Sequence, residues 1–346
     1  MTTLRRRRIE LACLALGAAV LAGTVWAIGA DTLVRDLRAM GWGLFAVLLV
    51  ESLSVALNTV GWALGFPSGE RTVSAPRLFA ARLAGDGINY LTPSATVGGE
   101  LLRLRLLGPH VPTSLRLVSV SVAKIGQSLA QAVFILLGLA IVLPGLAVAH
   151  GWLGWTGAVV AACMAGVAAI GHWAAFVWAV DRGFWTTTCG ALRRVRLGWL
   201  LPASWAGPGR DLDAALTRLG PWRAAASLGC FVAGWSVGAA EIYLILQWVG
   251  GAVDWRTALA LETGSVLIDG ILFFMPAKLG TQEGGKVLLF ATLGLNPARG
   301  LTVGVVRRIR ELAYAGLGLA ALGWLTARPA PAPGHVSSDQ PSPRRV

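Results

Sequence analysis

The sequence predicts an all-α polytopic membrane protein. It should have about six full transmembrane helices plus two broken or re-entrant helical hairpins related as inverted repeats. Three observations predict it. First, 55% of the 346 residues are hydrophobic, 14% are charged and the mean hydropathy is +0.65, where a soluble domain carries about 25% charged residues. Second, arginines cluster between alternate apolar stretches. Third, a pattern of residues that are rare in membranes occurs twice.

The spans come first. Ile9–Ala30, Gly41–Phe66, Val118–Ala149, Leu153–Val180, Ala224–Gly250 and Leu301–Ala327 are nearly uncharged, and each is long enough for a hydrocarbon core of about 30 Å. So many apolar stretches cannot be buried inside a globule of 36.2 kDa. Arg5–Arg8 before the first stretch has the look of a signal peptide, but the apolar run exceeds a typical signal core. We therefore read it as an uncleaved first span with a cytoplasmic N-terminus.

Arginine bookkeeping then sets the orientation. Segments assigned to the inside hold 20 basic residues. They include Arg71, Arg77, Arg82, Arg103, Arg105 and Arg116 after span 2, and the loop at about 181–222. Outer loops hold three, Arg35, Arg38 and Arg256. This asymmetry is the positive-inside pattern. It places both termini in the cytoplasm and the chain in the inner (plasma) membrane as a multi-pass protein. Within the inner loop, Leu212, Leu216 and Leu219 share a helical face, as in a helix lying on the leaflet. Asp211-Leu212-Asp213 is read as acidic residues in a helix's first turn. Residues 1–328 form one transmembrane domain, and the Pro- and Ser-rich residues 329–346 read as a disordered cytoplasmic tail.

The repeat covers about 76–143 and 256–327. Asp86-Gly87-Ile88, then Pro93 and Glu100, matches Asp269-Gly270-Ile271, then Pro276 and Glu283, without a gap. A basic residue follows three positions later in each, Arg103 and Lys286. After a one-residue shift, the segment around Lys124 to Gln127 aligns with Arg308 to Glu311. An odd number of spans separates the copies, so they face opposite ways, as in secondary transporters built around a midplane site. Pro and Gly inside each copy mark Leu78–Leu107 and Thr257–Leu295 as broken hairpins, since irregular backbone at membrane depth must line a cavity or pack in protein. Eight plain spans with proline kinks is the alternative.

Charge at this depth costs at least about 2.5–3.5 kcal/mol per residue, so the charged residues of the repeats are the candidate binding set. They are Glu100, Arg103, Lys278, Glu283, Lys286, Arg307, Arg308, Arg310 and Glu311, with Asn89 and Pro93 beside them. Asp86, Gly87, Asp269, Gly270 and Pro276 are the structural positions of the repeat. Glu100–Arg103 and Glu283–Lys286 have i,i+3 spacing, and Arg307–Glu311 has i,i+4 spacing, so each can pair on one helix face. Counted with Lys124, Asp86 and Asp269, these charged positions number seven bases to five acids. That excess points to a cation-lined cavity for an anionic headgroup, because arginine forks match phosphate. Glu51 and Glu241 also lie in apolar spans, either beside a cavity or hydrogen-bonded in the core.

Several chemistries have no support. Cys13, Cys163, Cys189 and Cys230 form no CxxC pair, and the four histidines show no metal spacing. No phosphate-binding glycine loop ending in Lys-Ser or Lys-Thr is present. The net charge of +13 is distributed by topology and not as a nucleic-acid stripe. No catalytic residue, metal, cofactor or nucleic-acid partner is expected.

The segments Asn89-Tyr90-Leu91-Thr92-Pro93 with Gly98-Gly99-Glu100-Leu101-Leu102-Arg103, Pro276 to Gly284, and Arg307-Arg308-Ile309-Arg310-Glu311-Leu312 carry a resemblance. Together they resemble the flippase-like membrane family that includes the transmembrane region of lysylphosphatidylglycerol synthase. The Gly-Gly-Glu and Arg-Arg-x-Arg-Glu forms look most like the subgroup found with bacterial hopanoid biosynthesis. Coverage runs from about residue 9 to 327. The resemblance implies lipid handling, foremost translocation between leaflets, with the bilayer and a lipid as partners. A membrane-embedded lipid-modifying enzyme, or an accessory subunit working with lipid-biosynthesis enzymes, is the alternative. Aminoacyl transfer is not implied, since it belongs to a separate soluble domain for which the residues after 327 leave no room.

Overall fold

The computed structural model describes residues 26, 30–66, 69, 71, 73–91, 97–149, 151, 154–194, 196, 206–251, 253–271 and 280–327. The expected first span, the tips of both hairpins with Pro93, Pro276 and Lys278, and the expected tail lie outside the described residues.

Every described element of regular structure is a helix. A short amphipathic helix, α1 (Ala30–Met40), leads into α2 (Gly43–Leu64). The first repeat is α3 (Ala75–Leu91), α4 (Val97–Leu106) and α5 (Thr113–Ala149). Then come α6 (Trp155–Arg182), α7 (Phe184–Arg194), α8 (Ala206–Leu219) and α9 (Pro221–Trp248). The second repeat is α10 (Trp255–Ile271), α11 (Thr281–Thr292) and α12 (Pro297–Ala327).

Four helices are long and apolar enough to cross a membrane: Gly43–Leu64, Leu115–Gly145, Trp155–Trp178 and Pro221–Trp248. They match four of the expected spans. Their outward faces are apolar. Phe45, Leu49 and Leu53 on α2, and Met164, Val167 and Ile170 on α6, are all exposed. Such a surface is stable against lipid and not against water. Exposed Trp42, Trp155, Trp222 and Trp255 stand at helix starts, the position of an interfacial aromatic belt. The chain is a multi-pass helical membrane protein. The expected last span, in α12, is 31 residues long but carries Arg307, Arg308, Arg310 and Glu311 in its first half, where most of its buried residues lie, while Leu317, Leu319 and Trp324 of its second half are exposed.

The described helices α3 and α10 end at Leu91 and Ile271, and α4 and α11 begin at Val97 and Thr281, on either side of the expected breaks. The arms α4 and α11 have 10 and 12 residues, about 15 and 18 Å of helix, well short of a hydrocarbon core of about 30 Å. In each hairpin the short arm packs against the preceding arm. Gly85 and Gly99 make the first hairpin close. A Cβ on Gly99 would sit on the Gly85 carbonyl oxygen, and the Gly99 N–H donates to Asn89 Oδ1 at 2.7 Å.

The two repeats exchange partners. The long helix α12 packs on α3, and its counterpart α5 packs on α10, while α2 packs on α9. This reciprocal pairing is what a twofold relation between the copies requires. Small residues make these contacts close, as is usual where lipid supplies no hydrophobic drive. A Cβ on Gly318 of α12 would lie 3.1 Å from the Cα of Gly87 and overlap the Leu83 carbonyl. Gly87 is therefore a contact position. Its counterpart Gly270 is exposed and has ordinary room beside Gln131, so the glycine there is not required by packing.

The inner loop departs from expectation. Leu216 and Leu219 of α8 are buried in the apolar core with Leu228 and Phe231 of α9, so this helix packs on protein. Asp213 is not in the first turn of α8. Its carboxylate accepts from the Trp185 and Thr186 N–H groups and the Thr186 hydroxyl, capping the start of α7 from outside. Backbone N–H groups left open at a helix start select a nearby carboxylate, whichever helix carries it.

Candidate functional site

Two clusters of buried charge follow from the fold, one in each repeat. In the first, α3 and α4 bring Arg82, Asp86, Glu100 and Arg103 together. Arg82 Nε donates to Asp86 at 2.8 Å, and Arg103 donates to Asp86 and, at 2.7 Å, to Glu100. Arg103 also stacks 5.9 Å from the Trp62 ring centroid. Lys124 of α5 approaches Glu100 at 3.7 Å. Arg82 and Arg103 are buried. Two arginines assigned to the inner loop are thus ion-pair partners within the fold.

The second cluster is built on α12. Helical spacing sends the four charged side chains between Arg307 and Glu311 to different neighbours. Arg307 turns to α9 and α10, contacting Glu241 at 3.1 Å and Glu262 at 2.7 Å and donating to the Gly238 carbonyl. Arg308 turns to α11 and α3, reaching Glu283 at 2.9 Å and the Tyr90 hydroxyl at 2.7 Å. Arg310 bridges Glu51 of α2 at 2.9 Å and Glu241 at 2.6 Å. Glu311 lies 3.6 Å from Arg308 and 3.8 Å from Arg310. Gly304 lets α12 approach Glu283, since a Cβ there would lie 3.1 Å from the Glu283 Cα.

The repeat correspondence survives as geometry. Lys124–Glu100 and Arg308–Glu283 are the same pair in the two copies. Other expected pairs do not form. Glu283 takes Arg308 and not Lys286, because a two-nitrogen fork satisfies a buried carboxylate better than one ammonium. Lys286 instead donates to the Gln282 carbonyl at 3.4 Å. Arg307 leaves Glu311 for Glu241 and Glu262, which are more deeply buried. Of the expected i,i+3 and i,i+4 pairs, Glu100–Arg103 is formed.

The two copies are not equal in charge. Carrying the Asp86-to-Asp269 offset back from Glu241 gives Asn58, and Glu311 corresponds to Gln127. Asn58 and Gln127 hydrogen-bond at 3.3 Å, a neutral counterpart of the charged contacts around Arg310.

Two cavities meet at this network. One, of about 210 Å3, lies among α2, α9, α10, α11 and α12 and is lined by Glu51, Glu262, Asp269, Lys286, Arg307 and Arg310. The other, of about 230 Å3, lies between α2, α3 and α12 and is lined by Asp86, Tyr90, Arg310 and Tyr314 together with Val55, Leu83 and Ala315. Glu51, Arg310 and Glu311 border both. The expectation of a cation-lined cavity needs correction. Glu51, Glu241 and Glu262 join the network from α2, α9 and α10, so the lining carries both signs and the arginines are engaged by carboxylates. Lys286 differs: it is 4% exposed, and among the described residues it makes no ion pair. Asp269 lines the same cavity and accepts from Gln282 at 3.2 Å.

Sequence reasoning missed Glu262, Arg82 and Tyr90 as members of these clusters. Glu262 had a legible signal, an acid in an apolar helix two turns before Asp269. Arg82 had i,i+4 spacing to Asp86. Tyr90 had none, since its hydroxyl meets Arg308 across more than 200 residues of sequence.

A family model described as "Lysylphosphatidylglycerol synthase TM region" matches residues 11–318. A protein of Methanothermobacter thermautotrophicus described as "UPF0104 membrane protein" is 34% identical over 102 residues, which covers 29% of this chain and 30% of that protein. The aligned stretch thus spans under a third of either. No solved structure matches.

Proposed function

We propose that this chain, which belongs to the lysylphosphatidylglycerol synthase transmembrane-region family, moves an amphipathic lipid with an anionic headgroup between the leaflets of the inner (plasma) membrane. Lys286 carries the reading. A buried ammonium with one long hydrogen bond among the described residues leaves donors that are costly to leave unmet, and it faces a cavity large enough for a headgroup. The arginines are held by carboxylates, so the ammonium is the cation most available to a phosphate. The neighbouring cavity, lined by both charged and apolar side chains, suits the junction of headgroup and tail. The tails stay in the bilayer while the two repeats rock about the charge network. Both termini and the 181–222 loop are cytoplasmic on this reading.

Leaflet exchange of a labelled phosphatidylglycerol in vesicles reconstituted with the full chain tests this. Exchange should be protein-dependent and fall at least tenfold in Lys286→Met. Exchange no faster than in protein-free vesicles would end the proposal.

The word synthase in the family description favours a second reading, a lipid-modifying enzyme or a partner of lipid-biosynthesis enzymes, including those of hopanoid lipids. Mass spectrometry of the same vesicles separates the two. A new or lost lipid species that depends on Glu100, without leaflet exchange, would favour chemistry.

A further inference from the structure

The charge network around α12 does not balance. Five carboxylates, Glu51, Glu241, Glu262, Glu283 and Glu311, contact three guanidiniums, Arg307, Arg308 and Arg310, in one connected set. Four buried carboxylate oxygens in it, on Glu241, Glu262, Glu283 and Glu311, accept no hydrogen bond among the described residues. Two of these, Glu241 Oε1 and Glu283 Oε2, have no ion-pair contact among them either, on side chains that are 1% exposed. A buried carboxylate oxygen with neither cation nor donor is unfavourable as an anion and acceptable as a protonated acid. The surplus is concentrated where Glu51 and Glu241 approach the same nitrogen, Nη1 of Arg310.

The surroundings of that pair are mixed in sign. Arg307, Arg310, Glu311 and Tyr314 face it from α12, and Glu262 from α10. Asp86 and Tyr90 face it from α3 across the second cavity, and Lys286 from α11 across the first. Glu51 lines both cavities, with 23% of its side chain exposed, while Glu241 is buried at 1%. An anionic headgroup entering beside Lys286 would meet Glu262, Asp269 and Glu311 in the same cavity. Cancelling one negative charge there removes repulsion at the moment the anion binds.

We propose that Glu51 and Glu241, bridged by Arg310, form a proton-binding site, and that the proton bound there accompanies the anionic headgroup through the protein. The inference rests on the transport reading above and adds the ion that travels with the lipid. The step balances. A hydronium ion in one cavity breaks an O–H bond and gives its proton to a carboxylate oxygen, leaving water, and the new carboxyl O–H bond later breaks as the proton passes to water in the other cavity, forming hydronium. One positive charge thus moves with one negative charge. Each ligand raises the affinity for the other by the same factor, as linkage requires.

Infrared difference spectroscopy on the full chain in zwitterionic lipid vesicles reads the site without relying on transport. A protonated-carboxyl band should be present at neutral pH, disappear as the pH is raised, and be lost in Glu51→Gln and in Glu241→Gln. If Glu241→Gln does not fold, Glu51→Gln at the cavity wall decides. A band absent at neutral pH, unchanged in the variants, or responsive to sodium and not to pH, would overturn the proton site while leaving the lipid reading intact. Where labelled phosphatidylglycerol does exchange, a pH gradient across the vesicle should change the rate severalfold in the wild type and not in Glu51→Gln. An equal response in both would overturn the coupling.

Discussion

Arg310→Gln should destabilise the protein far more than Glu241→Gln, although the two residues are partners. The arginine holds Glu51 at 2.9 Å and Glu241 at 2.6 Å through one nitrogen. The two acids therefore lie within about 5.5 Å of each other, where like charges repel by about 3 kcal/mol at an effective dielectric constant of about 20. Without the guanidinium, Glu51 loses its one cation contact among the described residues and Glu241 keeps Arg307 alone, at 3.1 Å. Stranding a buried charge in this way costs about 3–5 kcal/mol. Glu241→Gln strands nothing. Arg310 retains Glu51, Arg307 retains Glu262 at 2.7 Å, and the surplus of acids shrinks. The lost charge-assisted bonds, worth about 1.5–3 kcal/mol each, are partly offset by that relief, so a net cost of about 1 kcal/mol is expected. Unfolding in mixed micelles with increasing SDS, followed by tryptophan fluorescence, measures both variants. A Glu241→Gln cost equal to or above that of Arg310→Gln would refute the acid surplus.

Other perturbations probe the packing and the surface. Gly318→Val forces a side chain onto the Leu83 carbonyl and Gly87, and separating α3 from α12 should cost at least about 1–3 kcal/mol in the same titration. Tyr90→Phe removes the hydroxyl that accepts from Arg308 between the repeats at 2.7 Å. It should cost about 1.5–3 kcal/mol and slow leaflet exchange, which a purely local role would not do. Asp254, in the loop before α10, is held below the ordinary carboxylate range by hydrogen bonds from the Thr257 side chain and backbone. Its folded-state value is depressed, so its contribution is present above the unfolded pKa of about 3.9 and is lost as the pH falls through the lower folded value. The group is exposed and the effect small. Asp254→Asn should flatten that acid limb in pH-dependent unfolding and change nothing at neutral pH.

Composition and periodicity by themselves determined the membrane class. Apolar length has a single solution in lipid, helices with satisfied backbones, so α2, α5, α6 and α9 were legible as uncharged runs. The broken hairpins were legible too, because Asp86, Glu100, Asp269 and Glu283 are expensive in a membrane and recur in register. Which charges meet was decided only by the tertiary structure. Glu283 had Lys286 at helical spacing and took Arg308 from another helix; Arg307 had Glu311 and took Glu241 and Glu262. Local spacing offers a partner, but the choice goes to whichever carboxylate is most deeply desolvated and best matched in shape, and that depends on how α9, α10 and α12 are assembled. The sign of the cavity followed the same logic. Counting the charges at the repeat positions gave an excess of bases; Glu51, Glu241 and Glu262 were visible as acids in apolar helices, but that they meet the arginines of α12 was decided only by how α2, α9 and α10 pack around it.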